Sequence, residues 1–197
     1  MDTLRYVVAL LVVIGFPPAF VFWLFVHPFA RFWRRLGPLA TLAILYPLLV
    51  LAMAGLLLAR EPLLAVEFGT RWPLVALGAA CVGVAAVVFR EVRRQLPVRV
   101  QMGIPELDPR AEQHLLTEGV YARIRHPRYV EMLLALLGFA LVANYLAGYV
   151  VFALGVLLLH AVVVLEEREL RERFGPAWDD YARRVPRYVP ACPRSGL

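Results

Sequence analysis

Apolar residues along this chain come in long unbroken runs, without the alternation or the three-to-four spacing of a water-soluble fold. Residues 4–26, 38–59, 73–89, 129–142 and 144–165 are nearly free of charge. A helix rises about 1.5 Å per residue, so roughly 20 apolar residues cover the ~30 Å hydrocarbon core of a bilayer. Each run therefore predicts a membrane-crossing helix. The fourth is short and predicts a hairpin arm that tilts or stops below full thickness. Pro17-Pro18 and Pro47 fall inside the first two runs and predict kinks whose freed carbonyls neighbouring helices must satisfy. The third run, rich in Ala, Gly and Val, predicts close helix approach, and Trp23 and Trp33 suit a membrane interface. Met1 to Arg5 leads into the first run without a small-residue cleavage site, which predicts a retained span and not a signal peptide.

The polar segments are as informative. Residues 90–127 open with Arg90, Arg93, Arg94 and Arg99 and are broken by Pro97, Pro105 and Pro109. They predict a polar connector folded over the membrane face as a lid or half-pocket. After Leu165 the chain turns abruptly charged. Glu167–Arg171, Arg168–Glu172 and Glu169–Arg173 stand four apart and predict a surface helix, which Phe174-Gly175-Pro176 ends. A turn is expected at Ala143-Asn144. Arginines crowd 31–35, 90–127 and the tail but not 60–71 or 143–149. The positive-inside rule thus predicts five crossings, with the amino terminus outside and the carboxy terminus in the cytoplasm. Both polar clusters that bracket the last two runs then meet on the cytoplasmic side.

Composition agrees with an integral membrane protein: 61% of the 197 residues are hydrophobic and the mean hydropathy is +0.67. The expected fold is an all-α polytopic membrane bundle of about five transmembrane helices, with a C-terminal helical hairpin. The net charge of +6 is assigned to arginines flanking the spans beside anionic lipid, and not to nucleic acid. No obligate protein partner is indicated. All 21 basic residues are arginine, which points to GC-rich coding and a bacterial cytoplasmic membrane. Cys81 and Cys192 belong at different depths, so no disulfide is expected.

Chemistry-bearing residues gather at the two polar clusters. Pro127 suits the first turn of a helix, where free amides and the dipole favour an anion. His126 and Tyr129 would stand beside that start, as a site or as interfacial anchors with equal claim. Glu131 lies one turn into the apolar arm and needs a partner or a wet cavity; Arg128, three residues back, is the nearest candidate. Glu166 and Glu167 point about 100° apart on a helix. Glu167 has Arg171 as a surface partner, whereas Leu170 follows Glu166 at the same spacing, so Glu166 is expected to face inward. His160 is expected to be a structural histidine. No His/Glu pair has the helical spacing of metal ligands, and no metal is expected.

Thr117-Glu-Gly119-Val-Tyr121, Arg125-His126-Pro127-Arg128-Tyr129, Glu166-Glu167 and Phe174-Gly175 through Val185-Pro186 to Pro190 together resemble the isoprenylcysteine carboxyl methyltransferase family, grouped with the phospholipid N-methyltransferases. The resemblance covers about the last ninety residues. It implies transfer of a methyl group from S-adenosylmethionine to a lipophilic acceptor that enters from the bilayer. It implies residues 1–89 as membrane helices and 90–197 as the cofactor-binding core, in one integrated domain. By position, Gln113, His114, Leu115, Leu116 and Tyr121 would wall a cytosolic cofactor pocket. His126, Pro127, Arg128 and Tyr129 would hold the cofactor, and Glu166 would close the other side. Arg125, Glu131 and Glu167 make up the expected catalytic set. Arg125 would orient the cofactor carboxylate or an anionic acceptor, and Glu131 would face an amine, thiol or hydroxyl. Two positions depart from the family pattern: Glu131 replaces a glycine, and Val162 replaces the arginine that binds a substrate carboxylate in the carboxyl-methylating members. The other classes compatible with this architecture are an NADPH-dependent membrane reductase of the steroid-reductase type and a non-enzymatic membrane adaptor.

Overall fold

A computed structural model describes residues 1–26, 28–95 and 114–190. Its elements in chain order are α1 (Asp2–Val26), α2 (Ala30–Leu36), α3 (Pro38–Leu58), α4 (Arg60–Leu63), α5 (Trp72–Gln95), a 3-10 turn at Gly119–Ala122, α6 (Pro127–Ala143), α7 (Leu146–Phe174) and α8 (Pro176–Arg184). The fold is an all-α polytopic membrane bundle. Helices α1, α3, α5 and α7 are each long and apolar enough to cross a bilayer. Helix α6 has 17 residues, about 26 Å at 1.5 Å each, and so falls a few Å short of the hydrocarbon thickness. The short hairpin arm expected from the sequence is therefore present.

Helix α1 runs unbroken through Pro17 and Pro18. It packs against α3, α6 and α7, while α6 lies along α5 in the most extensive helix contact. Two glycines make that contact close. A Cβ on Gly78 would stand 2.6 Å from the Gly138 carbonyl oxygen, and one on Gly138 would stand 2.7 Å from that of Gly78. The small-residue run of α5 thus lets two backbones touch, which is how helices associate where lipid gives no hydrophobic drive. Gly138→Val should lower thermal stability in detergent by about 1–3 kcal/mol through overpacking. Gly83→Ala, with open space around its Cβ position, should leave it unchanged.

At one end of the bundle a buried ionic clamp holds the first helix to the hairpin turn. Arg5 is 1% exposed; it donates to the Ala143 carbonyl at 3.0 Å and pairs with Glu67 at 2.7 Å. Its guanidinium lies over the Tyr145 ring, whose hydroxyl donates to Glu67 at 3.1 Å. Asn144 adopts the left-handed conformation (φ 55°, ψ 48°) that closes α6, and its side-chain amide donates to the Gly69 carbonyl. The turn at Ala143-Asn144 is as expected, but Arg5 is a core residue and not a loose flank.

Three expectations change. Helix α5 continues to Gln95, so Arg90, Arg93 and Arg94 ride its last turns and do not belong to an irregular connector. The division after residue 89 accordingly falls inside a helix. The basic stretch 31–35, expected as a short loop between the first two spans, is helical, within α2. Arg99, Pro97, Pro105, Pro109, Gln113 and Cys192 lie outside the described residues. The charged extension of α7 beyond Leu165 stops at Phe174, where Gly175 takes φ 53° and Pro176 opens α8. Helix α8 folds back on α7, burying Trp178 and Tyr181 against Leu115, Leu170 and Phe174, with Arg171 tied to Asp179 at 2.8 Å. The start of α6, the charged end of α7 and α8 thus gather opposite the Arg5 clamp.

Candidate active site

Pro127 begins α6 as the spacing predicts, with His126 as its N-cap residue. The backbone amides before it are not free. Arg125 N–H donates to the Pro186 carbonyl at 2.9 Å and His126 N–H to that of Arg187 at 3.2 Å. The tail after α8 therefore lies as a strap across the start of α6. Both bonded amides precede the first turn, so the strap covers the approach to that helix end.

Under the strap sits one carboxylate with many donors. Glu167 Oε1 accepts from Arg125 Nε and Nη2 at 3.2 and 2.9 Å, from His126 Nε2 at 3.0 Å and from Arg187 Nε at 3.0 Å. Its Oε2 accepts from Arg187 Nη2 at 2.5 Å. A carboxylate only accepts, so His126 presents Nε2–H to it. Burial works against ionisation here. The bonds from His126, Arg187 and Arg125 outweigh it and hold the Glu167 carboxyl well below the usual range. Arg125 also donates through Nη1 to the Ala182 and Val185 carbonyls at 2.6 and 2.8 Å. Glu167 and Arg125 are thus a bolt joining the starts and ends of α6, α7, α8 and the strap. The expected Glu167–Arg171 surface pair does not form, because Arg171 binds Asp179. The other two pairs of that series do form, Arg168–Glu172 at 3.4 Å and Glu169–Arg173 at 2.6 Å.

Glu166, one residue earlier, turns the other way into a cleft of about 790 Å³ counting its open mouth. His126 Nδ1 is 3.7 Å from Glu166 Oε2, so the two polar helix ends converge. Every residue expected to hold the cofactor lines this cleft, except Gln113, which lies outside the described residues: His114, Leu115, Leu116, Tyr121, His126, Pro127, Arg128, Tyr129 and Glu166. Arg125 reaches its wall, but with most of its donors committed it is placed to hold the wall in position. Glu167 is not among the lining residues, and neither is Glu131. Glu131 is half-buried on α6, where Arg128, its expected partner, acts on it electrostatically and also lies over the Trp23 ring at 5.3 Å. His160 is exposed and bonded through Nδ1 to the Tyr188 hydroxyl at 2.8 Å.

The aromatic lining was not legible residue by residue. Trp23, Leu170, Phe174, Trp178 and Tyr181 complete the cleft. Leu170 and Phe174 follow Glu166 at successive steps of four, so the face of α7 was available from periodicity. Trp23 comes from α1 and carried only the signal of an interface anchor. Tyr181 donates its hydroxyl to the Tyr121 backbone carbonyl at 2.8 Å, fixing the 3-10 turn against α8. Burial pushes the Tyr181 phenol up to about 12 and Tyr121 well above its ordinary value, so both stay protonated donors.

Two buried polar atoms of the lining residues lack a hydrogen-bond partner, Glu166 Oε2 and Trp178 Nε1. Buried polar groups are almost always satisfied, so each of these atoms calls for a partner such as a water, an ion or a ligand. The cleft thus offers an orphan carboxylate oxygen, an orphan indole donor, aromatic walls and the Arg128 cation. Among the described residues no group of three or more His, Cys, Asp or Glu side chains is placed to hold a metal.

The class these features define is a helical membrane protein whose polar helix ends enclose an aromatic-lined cleft. Comparison narrows it. Residues 74–177, over half of the chain, match the phospholipid methyltransferase family, and the chain belongs to that family. Among curated proteins it is 33% identical over 81 residues to the nickel-cobalt-cadmium resistance protein NccN of Alcaligenes xylosoxydans xylosoxydans (41% of this chain, 38% of the relative). It is 40% identical over 82 residues to the cobalt-zinc-cadmium resistance protein CzcN of Cupriavidus metallidurans (41% and 38%). It is 31% identical over 86 residues to the protein-S-isoprenylcysteine O-methyltransferase of Schizosaccharomyces pombe (43% and 36%). The matches thus span less than two fifths of each relative's length. No solved structure matches.

Proposed function

We propose that this protein transfers a methyl group from S-adenosylmethionine to a lipophilic acceptor at the cytoplasmic membrane face. The observation that carries the reading is the orphan oxygen of Glu166, set in the one cleft where the family's motif residues converge. Glu166 is the residue that would meet the cofactor's hydroxyls or its positive charge. Tyr121, Phe174, Trp178 and Tyr181 would flank its base, and Arg128 supplies a cation for its carboxylate. When bound, the cofactor supplies an electrophilic methyl on a sulfonium. The protein's part is alignment and exclusion of water, which needs no nucleophilic side chain. The Glu167 bolt fixes His126 and the α6 start, and α8 walls the cleft with Trp178 and Tyr181. Val162, 0% exposed, is packed in the core where a carboxylate-binding arginine would stand, which favours an acceptor without a carboxylate.

Ligand-induced thermal stabilisation tests the reading on the full chain in detergent. Adenosylhomocysteine at about a hundredfold excess over Kd should stabilise the protein by about 2.7 kcal/mol, and NADPH should not. Stabilisation by NADPH alone would favour the reductase class, and a response to neither would favour the adaptor.

A further inference from the structure

Tyr129 is a wall of two spaces. On one side lies the cofactor cleft; on the other, an apolar groove of about 850 Å³, counting open space, runs between α6 and α7. Leu133, Leu137, Phe152 and Val156 line its length, and His160 and Tyr188 stand at its polar end. From Phe152 to His160 it extends about 12 Å along α7. Among its lining residues there is no arginine or lysine.

The polar end is the informative part. His160 sits inside the apolar run of α7, where a polar ring facing lipid is costly and marks function by default. Tyr188 reaches it from the strap, at 2.8 Å from Nδ1, and the Tyr188 ring also lies 6.3 Å from that of His126 at the cleft. Val189, beside Tyr188, is 73% exposed and lies at the same groove. The strap therefore bridges a water-facing cleft and a lipid-facing groove through Tyr188.

We propose that the α6–α7 groove seats the hydrocarbon tail of the methyl acceptor, and that the His160–Tyr188 pair hydrogen-bonds its headgroup beside Tyr129. This rests on the methyltransferase reading and names its substrate class: a long-chain lipophile with an amine, thiol or hydroxyl at one end and no carboxylate. The occupant follows from the cleft lying directly across Tyr129, from the bilayer as the groove's surroundings and from the hydrogen-bonding pair at one end only. His160 and Tyr188 are specificity residues in this scheme.

The test uses the full chain in phosphatidylglycerol nanodiscs and hexadecylamine bearing a mid-chain diazirine. Photolysis should label the α6–α7 groove, and Val156→Trp, at a 39% exposed position that tolerates substitution, should cut that label at least fivefold. The same variant should keep the wild-type stabilisation by adenosylhomocysteine. Labelled-methyl incorporation into native lipid extract should fall at least tenfold in His160→Leu and Tyr188→Phe at low extract and recover at high extract, a rise in KM without loss of kcat. Labelling spread evenly over the lipid-facing helices, or gathered in the apolar groove between α1 and α3, overturns the assignment. So does labelling unaffected by Val156→Trp while adenosylhomocysteine still binds, and in that case the methyltransferase reading survives. If adenosylhomocysteine fails to stabilise the wild type, both readings fall together.

Discussion

Glu167→Ala is expected to cost about 3–5 kcal/mol of stability, the range for removing one partner of a buried ion pair. The side chain is 14% exposed, and its partners Arg125 and His126 are 10% and 2% exposed. Removing it leaves two guanidiniums facing each other with no anion between them. The start of α6 and the strap would then separate, so methyl transfer should fall with stability. Glu167→Gln keeps the shape but loses the charge, and should be intermediate. The pH dependence has a definite sign. The folded carboxyl titrates well below the ordinary glutamate value of about 4.3, so the unfolded chain takes up a proton first as pH falls. The stabilisation is complete above about pH 5 and declines below it. The gap in thermal midpoint between wild type and Glu167→Gln should therefore narrow from pH 7 to pH 4. A gap that widens on acidification would refute the ion-pair account.

How far the sequence leads depends on whether a residue's partners are near it in the chain. The helices were legible because lipid requires long apolar runs, and a short arm stays short in three dimensions. The turn at Asn144, the start at Pro127 and the stop at Gly175 follow from local backbone chemistry. The cleft-lining residues came from a motif, and the fold gathers them because α6 and the charged end of α7 are antiparallel neighbours. Glu167 shows where local reasoning fails. Spacing alone pairs it with Arg171, one turn away, yet its partners come from Arg125 and Arg187, 42 and 20 residues distant. Two guanidiniums and an imidazole outbid one solvated neighbour, which no periodicity displays. Arg5 is the same case at the opposite end, since its acceptor Ala143 is 138 residues away. Trp23 was legible as amphipathic but not as a cleft wall, because its role depends on how α1 is rotated against α6.

Glu166 and Glu167 are chemically identical neighbours, and their substitutions should give opposite results. Glu167 is saturated with donors, so its neutralisation takes away stability. Glu166 leaves Oε2 without a hydrogen bond, with His126 Nδ1 no closer than 3.7 Å, so little in the unliganded protein depends on it. Glu166→Gln should accordingly leave the thermal midpoint of the unliganded protein unchanged. What it removes is an interaction made only with ligand present. A hydrogen bond to a charged group is worth about 1.5–3 kcal/mol, so the Kd for adenosylhomocysteine should rise roughly ten- to hundredfold. Titration calorimetry beside a thermal melt reads both quantities from one preparation. The reverse pattern, with Glu166→Gln unstable and Glu167→Gln unable to bind, would exchange the two roles. It would also move the cofactor to the other face of α7, because adjacent residues of a helix cannot serve one pocket together.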